Sequence, residues 1–166
     1  MVSGTLIWYI KANVTVPSPR SFEDFTVGLH FRSRSAVILT AERIKAFAAE
    51  FDPQPPHLDE EAARLTSFRG LVASGWHTAA VAMRLIIDSD LGLGGQGAGL
   101  AVESMQWRLP VRAGDALRVE GTVTETRPSR SRPDSGIVKF RVTALNQRDE
   151  VVLEGSHVVL VARRAV

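Results

Sequence analysis

The stretch "GLVASGWHTAAVAMRLIID", residues 70–88, is the longest apolar segment of the chain, and its reading decides the fold. At helical spacing, Val72, Ala73, Trp76, Ala79, Ala80, Met83, Ile86 and Ile87 share one broad face. Ser74, His77, Thr78, Arg84 and Asp88 gather on the opposite side. Val81 and Leu85 are apolar as well, so most of the circumference of this helix needs cover. A sheet wrapped around it would supply that cover.

The residues that follow read as such a sheet. Beyond the glycine-rich "LGLGGQGAGL" (91–100), strands are expected near 98–109, 115–127, 136–147 and 150–163. In "LRVEGTVTE" (117–125), Leu117, Val119 and Val123 alternate inward against Arg118, Glu120 and Thr122 outward. "NQRDE" (146–150) reads as the turn of a hairpin joining the last two strands. Upstream, "LHFRSRSAVIL" (29–39) is rich in β-branched residues and reads as one strand. Thr40 is placed to cap "AERIKAFAAEF" (41–51), where Ile44, Phe47, Ala48 and Phe51 recur at helical spacing. Pro53 ends that helix, and "DEEAARL" (59–65) predicts a short helix with acids at its N-terminus. One long buried helix followed by an antiparallel meander predicts an α+β fold.

At 166 residues, 45% of them apolar, the chain has one domain's worth of sequence and ample core material. The absence of cysteine excludes disulfides, thiolate metal sites and cysteine nucleophiles, and fits a reducing cytoplasm. A net charge of +2, with basic residues interleaved among acids, does not predict nucleic-acid binding. The apolar run in "MVSGTLIWYIKANV" (1–14) is short, lacks a basic leader and is interrupted by Lys11, so neither a signal peptide nor a membrane span is expected. Residues 1–20 read as an appendage, an extra strand, a tail or a misplaced start, ahead of a single domain over 21–166.

Three motifs carry less than they first suggest. Gly92, Gly94 and Gly97 satisfy G-x-G-x-x-G, but they follow a helix and precede a strand, the reverse of a dinucleotide site. His57 lies beside Asp59, Glu60 and Glu61 without any zinc-type spacing, so no metal is expected. His30 and His157 fall within strands as surface or packing residues, and His77 reads as structural. No G-x-S-x-G occurs, so an α/β-hydrolase nucleophile has no support.

The stretch "AEFDPQPPHLDEEAA" (49–63) is different in kind, because it places three prolines within four positions between Asp52 and His57. With "GLVASGWHTAA" and "WRLPVRAGDALRVEGTVTE" it resembles the MaoC-like dehydratases, which include the R-specific enoyl-CoA hydratases. Their motif runs D-x-N-P-x-H with a small residue six positions on; Asp52, Pro55, His57 and Ala63 fall on it. The resemblance extends from about Phe22 to Arg163 and includes "FTVG" and "PVRAGD". It implies a hotdog fold, an antiparallel sheet wrapped around a long central helix, in a homodimer or a larger assembly of dimers.

The resemblance also implies a reaction. Asp52 and His57 would hold and activate a water that adds across a trans-2-enoyl-CoA, giving the (R)-3-hydroxyacyl-CoA, or that leaves in the reverse dehydration. The backbone N–H of Gly75 would form the oxyanion hole at the start of the helix. The CoA thioester is the substrate, and no cofactor is implied. Proline rigidity offers a reason for the three prolines, since it fixes both side chains at little entropic cost. Three departures reshape the pocket. Gln54 replaces the motif asparagine and is too long for the same short contacts. Ser74 and Trp76 replace the histidine and methionine around the glycine. Met83 stands where some hydratases place a serine. Bulky Trp76 predicts a short or branched acyl group. Arg127, Arg130 and Arg132 in "RPSRSRP" are a solvated loop or, alternatively, contacts for a CoA phosphate. Two other readings stand beside the hydratase: a thioesterase on the same fold, and a non-catalytic acyl-CoA-binding protein.

Overall fold

The computed structural model describes residues 19–93 and 97–165; the expected appendage lies outside them except for Pro19 and Arg20. After a 3₁₀ turn (Phe22–Asp24) come strands β1 (His30–Arg32) and β2 (Val37–Ile38). Helices α1 (Ala41–Phe51), α2 (Pro55–Leu58), α3 (Glu60–Arg64) and α4 (Gly75–Ile87) follow. Strands β3 (Gly97–Trp107), β4 (Ala116–Pro128), β5 (Ser135–Leu145) and β6 (Val151–Ala162) complete the chain. All pairings are antiparallel, in the order β1-β4-β5-β6-β3, with β2 also paired to β4. This is the expected α+β hotdog arrangement.

Local chemistry explains most element boundaries. Thr40 caps α1 by accepting from the Arg43 N–H, and Asp59 caps α3 by accepting from Ala62. The 146–150 turn forms around Asn146, whose Oδ1 accepts from the N–H groups of Arg148 and Glu150. The single strand expected over 29–39 is instead split in two. Ser33 donates its N–H to the Val119 carbonyl while its Oγ accepts from the Val119 N–H, and the Asp90 carboxylate takes the Arg32 N–H. Side chains thus occupy ladder positions, and the chain bends before pairing resumes at Val37.

The central helix sits against the sheet by a face other than the one its apolar pattern suggested. His77, Thr78, Val81, Ala82, Leu85 and Ile86 are buried, whereas Trp76 (62% exposed), Met83 (42%) and Ile87 (37%) point outward. The two polar residues enter the core because each is accommodated locally. Thr78 Oγ1 donates to the Ser74 carbonyl at 3.3 Å, and the His77 ring stacks flat on Phe47 of α1 with centroids 4.6 Å apart. The His77 Nδ1 is buried without a hydrogen-bond partner among the described residues. Burial, with a further push from the Arg43 guanidinium, pulls this imidazole down to about 4.

Facing α4, the sheet contributes Val119, Val123, Val138, Phe140, Val142 and Leu153 to one continuous core. Gly121 interrupts the inward row of β4 because the Phe31 ring and the Arg141 carbonyl occupy the place of a side chain. Phe31 then meets Phe140 edge-on at 5.6 Å, and Phe140 stacks with the buried ring of His157. The outer face of the sheet is charged: Lys139 bridges Glu103 (2.8 Å) and Glu125 (3.5 Å), and Arg108 pairs with Glu154 (2.6 Å).

Two outcomes follow for stability. Leu85→Ala should cost about 2–5 kcal/mol in urea unfolding, the range for truncating a fully buried leucine, whereas the exposed neighbour Arg84→Ala should stay within about 0.5 kcal/mol. Because His77 holds its proton less tightly folded than unfolded, its contribution is complete above pH 6.5 and declines as pH falls toward about 4. A pH series of unfolding curves should show a loss on the order of 3 kcal/mol across that window. His77→Phe should flatten it.

Candidate active site

The site forms where α1, α2 and the start of α4 converge. Asp52 is the C-cap of α1, with φ −154° and ψ 70°, outside the helical region as expected for a residue ahead of proline. The next residues form no irregular loop but the one-turn helix α2, with Pro55 and Pro56 in its first two positions. Those positions lack intrahelical N–H partners in any helix, so proline starts the turn without losing a bond. The prolines therefore set the angle at which α2 carries His57 back toward Asp52.

His57 is almost completely buried, and its Nδ1 lies 2.9 Å from the carbonyl oxygen of Val72. A carbonyl can only accept, so Nδ1 carries a proton and Nε2 is the nitrogen turned toward Asp52. Nε2 stands 3.6 Å from Asp52 Oδ2, too far for a direct hydrogen bond. Val72 is held in turn by its N–H bond to the Pro56 carbonyl, at 3.1 Å.

The Asp52 carboxylate is gripped on both oxygens. Ser74 Oγ donates to Oδ2 at 2.6 Å, and Gln54 Nε2 donates to Oδ1 at 2.7 Å. These two bonds, the serine's first, hold the carboxyl below its ordinary range; the nearby imidazole adds to them and burial opposes them. The longer amide of Gln54, standing at the motif asparagine's position, folds back two residues to reach Asp52.

Gly75 opens α4, so its N–H has no partner within the helix and points out of the helix start. Trp107, which the sequence reading passed over, closes one side of this position. Its Nε1 donates to the Gly75 carbonyl at 2.7 Å, and a Cβ on residue 75 would lie 2.9 Å from its ring. Glycine is therefore required there for close packing. Trp76 meets Trp107 edge-on with centroids 5.6 Å apart, at the rim of a cavity of about 580 Å³. Asp52, His57 and Gly75 line that cavity together with Phe68, Leu109 and Val111. A larger hollow of about 790 Å³ lies on the outer sheet face among Arg32, Glu120 and Arg141, away from these groups.

Two groups of candidate residues lie away from this cavity. Met83 is absent from the cavity lining, because it lies beyond the first turns of α4 on the outward face. Arg127 is paired with Glu125 and stands across from Ile137, whose partner Leu160 faces Ala98 at one end of β3. Trp107 marks the other end of β3, so strand register separates Arg127, Arg130 and Arg132 from the cavity of their own chain. The signal for Trp107 was present in "WRLPVRAGD", but only the fold shows that its indole reaches Gly75. Among the described residues, no group of three acidic or histidine side chains is placed to hold a metal ion.

Known proteins resemble this chain in sequence and fold. The chain is 50% identical to a MaoC-like dehydratase from Rhodospirillum rubrum of known structure, which superimposes with a TM-score of 0.82 over 89% of this chain and 99% of that one. It is 33% identical to a 3-hydroxybutyryl-CoA dehydratase of Methylorubrum extorquens over 86% of this chain and 85% of the relative. It is also 33% identical to an (R)-specific enoyl-CoA hydratase of Rhodospirillum rubrum, over 86% and 92% respectively. Residues 23–145 match the family model described as the MaoC-like domain, and the chain belongs to the MaoC-like dehydratase family.

Proposed function

We propose that this protein is a hydro-lyase that adds water to a trans-2-enoyl-CoA, giving the (R)-3-hydroxyacyl-CoA, and that also catalyses the reverse dehydration. The observation that carries the reading is the facing of Asp52 Oδ2 and His57 Nε2 across 3.6 Å, with the imidazole tautomer set by Val72. With the imidazole neutral and its proton on Nδ1, both facing atoms are acceptors, and a group that donates to each in turn relieves their repulsion. A water molecule does this with its two hydrogens, leaving an oxygen lone pair free to attack.

In the hydration direction, that oxygen bonds to the β-carbon as the pair takes a proton from the water. The pair then returns a proton to the α-carbon, so the elements of one water are added across the double bond and the pair is regenerated. Negative charge passes through the thioester oxygen on the way, and the Gly75 N–H at the positive end of α4 supports it there. Trp76 and Trp107 narrow the cavity rim, which favours a short or branched acyl group. The relatives' names agree with this chemistry, since one acts on 3-hydroxybutyryl-CoA and another is an (R)-specific hydratase.

A second copy of the chain completes the molecule in this reading. Trp76, Met83 and Ile87 form an exposed apolar stripe on α4. Beside it, the long edge strand β3 pairs, among the described residues, with β6 alone and exposes Leu100 and Val102. An eleven-residue edge strand is a site for strand addition, and a two-fold pairing there would cover edge and stripe together.

The enoyl-thioester absorbance of crotonyl-CoA should fall when the purified protein is added, without release of free thiol. Asp52→Asn and His57→Gln should each lower turnover by roughly 10²- to 10⁴-fold while the thermal transition persists. Thiol release would instead indicate a thioesterase, and near-wild-type rates in both variants would remove the pair from the mechanism. Sedimentation should give twice the 18.1 kDa chain mass; a monomeric mass would contradict the proposed pairing.

A further inference from the structure

Resting on the hydration reading, we propose that Ser74 is a positioning residue, whose hydroxyl holds the Asp52 carboxylate in the orientation that faces His57. Ser74 is the N-cap of α4, and its Oγ accepts from the Trp76 N–H at 3.2 Å. The same oxygen lies 2.6 Å from Asp52 Oδ2. A serine hydroxyl has one proton; with a backbone donor already on its lone pair, that proton is committed to the carboxylate.

A continuous chain of bonds results. It begins at the electropositive start of α4, passes from the Trp76 N–H through the Ser74 hydroxyl, and ends on the very oxygen that faces His57 Nε2. Each bond in such a chain polarises the next. Ser74 is fully buried, so bulk water does not compete for its hydroxyl, whereas the Gln54 amide on the other oxygen is exposed. The serine is therefore the firmer of the two grips.

The arrangement makes helix position and carboxylate orientation one variable. A shift of α4 that moves Gly75 also moves the hydroxyl that aims Asp52. The other charged or titratable groups lining the cavity are His57, from α2, and Arg108, beyond β3; the guanidinium of Arg108 is taken up by Glu154.

The test is a carboxyl-carbon NMR titration of Asp52 in the wild type, in Ser74→Ala and in Ser74→Gly. Glycine is tolerated as an N-cap almost as well as serine, so the second variant keeps the helix start should the first unfold. In both, the Asp52 midpoint should rise by about one pH unit, the shift expected for losing one hydrogen bond to a charged group. The acidic limb of kcat/KM on crotonyl-CoA should move upward with it, with kcat falling roughly tenfold and KM changing less than about twofold. An unmoved midpoint in a folded variant overturns the proposal. A wild type without turnover, but with the midpoint displaced in the variants, leaves the Ser74–Asp52 link standing and refutes the hydration reading instead.

Discussion

A helix that is apolar around most of its circumference imposes the strongest constraint on this molecule. α4 can bury one side against its own sheet, and that side carries Val81, Ala82, Leu85 and Ile86. The length and curl of β3–β6 answer to this requirement, as does the single glycine at 121 that lets Phe31 close the core. Because α4 is held so firmly, its first residues become fixed points. Three groups are fixed there on two residues: the Ser74 hydroxyl, the Gly75 N–H and the Gly75 carbonyl that anchors Trp107.

The strand ends were legible to within a residue or two because period-two alternation and turn residues are local signals. Leu117, Val119 and Val123 are buried as their spacing implied. The buried face of α4 was not legible in the same way. Apolar side chains occur on both sides of it, and hydropathy cannot tell which side meets its own chain. That depended on one tertiary contact, the stacking of Phe47 on His77, and on the local bond from Thr78 back to Ser74. The break at Ser33 was equally hidden, because a β-branched run gives no warning that a serine and an aspartate will replace ladder partners.

Within the site, residue identities were more legible than their relations. Asp52 and His57 stood out by motif spacing. The carbonyl that sets the imidazole tautomer was invisible, because Val72 acts through its backbone and any residue supplies one. Ser74 was noted only as a departure from a pattern; its reach to Asp52 spans 22 residues and needs the turn of α2 to exist. Met83 shows the opposite error, in which a plausible residue type is carried elsewhere by helix phase, whereas Arg127, Arg130 and Arg132 are exposed as a solvated loop would be.

The charges on the outer sheet face have a consequence for how the chain finds its alignment. Successive side chains of a strand point to opposite faces, so sliding β5 by one residue against β4 would exchange its two faces. Lys139 would then take the buried place of Phe140 opposite Val123, Phe140 would be turned outward, and the bridges to Glu103 and Glu125 would be lost together. Burying an unpaired ammonium costs far more than an exposed ion pair contributes. Such pairs thus matter less as bonds in the finished protein than as penalties on its misaligned competitors: they leave the folding chain one affordable way to zip its longest strands.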